Sequence, residues 1–134
     1  MSRMSSDRQP EFFFDRSLGK ASARRLRDEG WIVHLIADFY EVDATNIADE
    51  DWIAEGARRG WILLTKDKKI RYRAHELEAL AGGHLFCLAS GSLGLDEMAQ
   101  RFVDARPAML RATGQHPVGF WHVYEGGRIA KMWP

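Results

Sequence analysis

Short, unbroken apolar runs alternate along this chain with longer stretches of mixed polarity. Glu11-Phe12-Phe13-Phe14-Asp15 is the first, and Trp31 to Ile36, Trp61 to Leu64 and His84 to Ala89 repeat its form. Runs this short and this rich in bulky residues predict strands buried on both faces. Between them lie good helix formers. Ser17 to Glu29 carries Leu18 and Leu26 on one side and meets Gly30 as its stop, while Asp49 to Arg59 ends at Gly60. Strand, helix and strand in close succession imply parallel strands with helices packed on them.

The remaining segments extend this pattern. Asp38 to Ile47 has no firm period and reads as a loop. Asp49 then stands as an N-cap, with Glu50 and Asp51 in the first turn, where acids suit the helix dipole. Ala74 to Ala81 predicts a short helix ended by Gly82-Gly83, and Ser90 to Gly94 a loop. Leu95, Met98, Ala99, Phe102 and Val103 fall at i, i+3, i+4, i+7 and i+8, the strongest amphipathic spacing in the chain. Pro107 is expected to kink or restart that helix. Val118 to Tyr124 predicts a strand, Glu125-Gly126-Gly127 a tight turn and Arg128 to Trp133 a return strand. Residues 1–10 read as a flexible tail and 11–134 as one α/β domain.

Composition narrows the class. Nineteen basic and nineteen acidic side chains leave a formal charge of zero, which excludes a wholesale nucleic-acid coat protein but leaves room for a local basic patch. The single cysteine, Cys87, lies in an apolar run and cannot form an internal disulfide, which points to a reducing, cytoplasmic setting. No apolar run approaches membrane-spanning length, and the polar opening has no signal-peptide core.

Candidate chemistry gathers where strands end. Asp15 follows the first strand and Asp67 the third, and in a parallel sheet the carboxyl ends of strands are where ligands bind. A helix feeding a parallel strand starts at that same edge, so Asp49 belongs there too. Three carboxylates drawn together repel, by about 4 kcal/mol per pair at roughly 4 Å and an effective dielectric of about 20. Protonation or a bound cation resolves that repulsion, and ligation by oxygen alone favours magnesium or manganese over zinc. Glu50 and Asp51 are further acids in reach of that set. Lys66, Lys68, Lys69, Arg71 and Arg73 surround Asp67, and Arg16 follows Asp15, a combination suited to holding a polyanion.

Each feature has a plainer reading. An aspartate after a strand is commonly a turn residue, an N-cap serves its helix, and a basic run is commonly a solvated loop. The five histidines lack metal-ligand spacing. Ser17 to Ala21 fails as a phosphate loop, because Phe14 stands where its first glycine belongs and Ala21 follows Lys20.

Taken together, Phe-Phe-Asp at the first strand, Asp-Glu-Asp-Trp-Ile opening a helix, and Gly-Trp-Ile-Leu-Leu-Thr-Lys-Asp-Lys-Lys-Ile-Arg resemble the PIN-like domain superfamily, in its VapC-type toxin branch. The likeness runs from about Phe12 to Tyr124. It implies a three-layer α/β/α sandwich with a mainly parallel central sheet, and magnesium- or manganese-dependent cleavage of RNA restrained by a cognate antitoxin, with a homodimer as a common assembly. Carried over by position, Asp15, Asp49 and Asp67 are the implied catalytic and metal-binding acids, with Asp51 as a further ligand. Arg16, Lys66, Lys69 and Arg71 are the implied substrate contacts. The family's fourth acid, shortly after the third, is absent: Lys68 and Lys69 stand there, leaving Asp51, Asp38 or Asp43 as sources. That departure supports a rival reading, a catalytically silent PIN-like module that binds RNA or a protein.

Overall fold

A computed structural model describes residues 9–39, 47–72, 74–90 and 92–134, without the side chains of Arg71, Tyr72 and Ala74. The expected Asp43 and Arg73, and most of the tail and of the 38–47 loop, lie outside the described residues. Among the described residues, six strands form one sheet: β1 (Glu11–Phe14), β2 (Ile32–Leu35), β3 (Ile62–Thr65), β4 (His84–Leu88), β5 (Gly119–Val123) and β6 (Ile129–Trp133). Their order is β2-β1-β3-β4-β5-β6, parallel throughout except for β6, which runs antiparallel to β5.

Among the described residues, four helices cover the sheet: α1 (Gly19–Asp28), α2 (Asp49–Arg58), α3 (Ala74–Glu78) and α4 (Leu95–Gln115). Phe12, Phe14, Leu64 and Phe86 face α1 and α4 and pack with Leu26, Met98, Phe102 and Met109. The alternate positions Phe13, Leu63 and Leu85 face the other way, against Trp52, Ile53, Leu77 and Leu80. A strand buried on both sides has no polar face to show, hence the unbroken apolar runs. The result is the α/β/α sandwich that the sequence led us to expect.

Gly30 and Gly60 end α1 and α2 with positive φ (+91° and +76°), a conformation a side chain would strain. Gly56 has a different purpose. A Cβ there would strike the Leu63 side chain and come within 2.8 Å of Phe13, so the missing side chain lets α2 lie close on the sheet. Two expectations need correction. Pro107 does not restart α4, which runs unbroken through it to Gln115; buried Phe102, Ala105, Met109 and Ala112 hold the helix on the sheet across the lost hydrogen bond. Asp49 is not the cap of α2: extended Ala48 occupies that position, its carbonyl accepts the Asp51 N–H at 3.0 Å, and its own side chain makes no cap bond. Among the described residues no helix is long and apolar enough to cross a membrane.

Candidate active site

The sheet order reverses direction at β1. From there the chain goes outward to β2 on one side and then returns past β1 to β3 on the other. α1, which follows β1, and α3, which follows β3, cover opposite faces, so a crevice opens between the carboxyl ends of β1 and β3. Register fills that crevice with particular side chains. Phe14 pairs with Leu64, and the Asp15 N–H donates to the Leu64 carbonyl at 3.0 Å, which sets Asp15 beside Thr65 across the two strands.

Asp15 is 7 % exposed. Its Oδ2 accepts two hydroxyl hydrogen bonds, from Ser17 at 2.7 Å and from Thr65 at 2.8 Å. Burial raises its pKa above the usual carboxylate value, the Ser17 and Thr65 hydroxyls pull it back, and the nearby charge of Asp49 raises it again. The same Thr65 oxygen accepts the Asp67 N–H at 3.0 Å. One hydroxyl therefore ties the acid after β1 to the backbone of the acid after β3.

Asp67 is half-buried, and its Oδ1 accepts the Lys69 N–H at 2.9 Å, nucleating a 3-10 turn over Lys68–Tyr72. The basic cluster is thus carried on a turn that this acid organises, with Lys66 half-buried and Lys68 and Lys69 exposed. Asp49 is the first residue of α2. Its Oδ1 accepts the indole N–H of Trp52 at 3.0 Å, and Trp52 is fully buried, edge-on to Phe13 of β1. An aromatic anchor in the core thereby fixes this acid near Asp15.

The other candidates are placed less centrally. Asp51 is exposed, about 200° around the helix from Asp49. Asp38 accepts the Leu35 N–H at 3.3 Å and lies 3.9 Å from Arg27. Arg16 is exposed beside Asp15, and Arg71 belongs to the Lys68–Tyr72 turn. Reading along the sequence assigned no role in the site to the hydroxyl of Ser17, and took Thr65 only as part of the Thr-Lys-Asp motif. Elsewhere, Glu76 on α3 is 2 % exposed. His84 serves the packing of the sheet. It is buried at the opposite edge, its Nδ1 accepts the Trp121 indole and its Nε2–H donates to the His116 carbonyl, while burial lowers its pKa.

As donors, Asp15, Asp49 and Asp67 have the oxygen-only chemistry of a magnesium or manganese site, and a cation would relieve the cost of an ionised, buried Asp15 beside Asp49. Among the described residues, however, no three His, Cys, Asp or Glu side chains form a group able to hold a metal. The acids share a rim without closing into a cage.

Comparison with known proteins accords with this geometry. A family model described as "PIN like domain" matches residues 10–90, from the approach to β1 through the end of β4. The chain belongs to the PIN-like domain family. This PIN-like domain is also 32 % identical over 124 residues to "Putative ribonuclease VapC45" of Mycobacterium tuberculosis, covering 90 % of this chain and 89 % of that one. No solved structure gives a significant match. The matched segment holds Asp15, Asp49 and Asp67, and Asp15 and Asp67 follow β1 and β3, the two strands at which the sheet order switches.

Proposed function

We propose that this PIN-like domain is a metal-dependent endoribonuclease and the toxin of a toxin–antitoxin pair. One observation carries the reading: a buried carboxylate at the sheet's switch point, joined through the Thr65 hydroxyl to a second acid that organises a basic turn. The likeness to a relative whose name reads ribonuclease supports it.

In this reading Asp15, Asp49 and Asp67 hold magnesium or manganese, and Asp51, in the same first turn of α2 as Asp49, is the further acid. Such an ion, when bound, supplies an activated water and offsets charge on the scissile phosphate. The protein's own part is placement. Ser17 and Thr65 fix the Asp15 carboxylate, and Trp52 fixes Asp49. Lys66, Lys69 and Arg71 on one side, and Arg16 on the other, neutralise neighbouring phosphates without reading bases. Overall, the water oxygen bonds to phosphorus, the ester bond to the leaving oxygen breaks, and a proton ends on that oxygen. The partners are RNA, a cognate antitoxin and a second copy of the chain, in a cytoplasmic setting.

The lack of a three-ligand group among the described residues favours a second reading, a silent module that binds RNA or a protein. Incubation of the pure protein with total RNA, with manganese or with chelator, separates the two. A nuclease cleaves only with manganese, and not as Asp67→Asn; a silent module leaves the RNA intact under both conditions.

A further inference from the structure

A cavity of about 160 Å3 opens beside Asp15, on the side away from the basic turn, between the carboxyl ends of β1 and β2. Its walls are apolar: Phe14 from β1, and Leu35, Ile36 and Ala37 where β2 ends. Two exposed cations, Arg16 and Lys20, line the same cavity. This volume is well below the roughly 300 Å3 at which sites for drug-sized ligands begin, so it takes one ring system rather than a whole ligand.

The chemistry of the cavity selects its occupant. A phosphate cannot enter, because apolar walls would strip its water and the Asp15 carboxylate lies alongside. A flat, uncharged group can enter, provided that it belongs to something anionic enough to be held by Arg16 and Lys20. An RNA strand offers that pairing, since its charge is on the backbone and its bases are uncharged rings. With Lys66 and Lys69 on the β3 side of Asp15, and Arg16 and Lys20 on the β1–β2 side, cations flank the acid along the rim a strand would follow.

We propose that this cavity seats one unpaired base of the RNA, next to the phosphate that is cut. The inference rests on the ribonuclease reading and adds what it lacks, a source of nucleotide preference. The base must be unpaired, because a cavity of this size has no room for a base pair and unstacked bases are what proteins read in RNA. Ala37, Leu35 and Ile36 would then decide which bases are accepted, while the lysines treat all sequences alike.

The test uses short RNAs of one sequence, each with a single abasic nucleotide moved stepwise along the strand. Affinity is read by fluorescence anisotropy without divalent ion, and cleavage in manganese. For the wild-type protein, one abasic position beside the cut is expected to weaken binding by about tenfold, and its neighbours to have little effect. Ala37→Trp, which fills the cavity from an exposed position, is expected to weaken intact RNA to a similar degree and to be indifferent to that abasic position. A flat wild-type profile overturns the proposal whether or not the variant folds. A folded Ala37→Trp with wild-type affinity and profile also overturns it, and assigns the cavity to something other than RNA. The two readings fail separately: cleavage with a flat profile removes the base pocket alone, and a stepped binding profile without cleavage removes the nuclease alone. No binding of RNA at all removes both.

Discussion

The Thr65 hydroxyl donates to Asp15 across fifty residues of sequence, at 2.8 Å, and accepts the backbone N–H of Asp67 at 3.0 Å. Thr65 is fully buried, so neither bond can be replaced by water. Thr65→Val keeps the shape and loses both. It should destabilise the protein by about 1–3 kcal/mol in chemical denaturation, the usual cost of leaving a buried polar group unsatisfied, and cut RNA cleavage well beyond what that instability explains. Thr65→Ser retains the hydroxyl and should restore most of the activity. Equal activity in the valine variant would show that the bridge is only structural.

Asp15 provides a pH test. Its folded pKa is raised, above all by burial, so the folded state holds this proton more tightly than the unfolded state does. The protonated carboxyl's stabilising contribution is full below the ordinary value of 3.8 and is lost as pH rises through the folded pKa. Asp15→Asn, measured in chelator, should therefore melt higher than the wild type at neutral pH. The advantage should shrink as pH falls toward 3.8 and below. Melting temperatures of both proteins across pH decide this, and a variant less stable at neutral pH would contradict the sign.

Gly56 governs how closely α2, and with it Asp49, approaches the sheet. Gly56→Ala should cost about 1–3 kcal/mol through overpacking against Leu63 and Phe13, although alanine is the better helix former. Urea denaturation checks it. A neutral or stabilising alanine would show that the helix can lift away freely.

Burial drives the Cys87 thiol up to about 12, with the charges of Asp67 and Asp15 adding to the effect. The native protein should therefore resist thiol reagents at pH 8 and react only on unfolding. Fast native labelling would mean that the floor beneath the acids is open to solvent.

Much of this arrangement was readable because it depends on local pattern. The doubly buried strands had to be apolar throughout, so Asp15 and Asp67 stood out as the first charges after Phe14 and just beyond Thr65. Glycines at positive φ marked the ends of α1 and α2. What escaped notice depends on register or on contact between distant segments. Thr65 was legible as part of the Thr-Lys-Asp motif, but its bond to Asp15 was not until Phe14 was paired with Leu64. Nothing near Gly56 in the sequence reveals Leu63 and Phe13 above it. Pro107 misled because its local cost is outweighed by the buried side of α4, and Asp49 because its side chain serves Trp52 instead of the helix end.

The proposed nuclease depends on Asp15, Asp49 and Asp67 acting together on one ion, and a calorimetric titration with manganese tests that most directly. The wild-type protein should bind manganese specifically, and folded Asp15→Asn and Asp67→Asn should each lose that binding. No specific binding by the wild type, or undiminished binding by both variants, would contradict it.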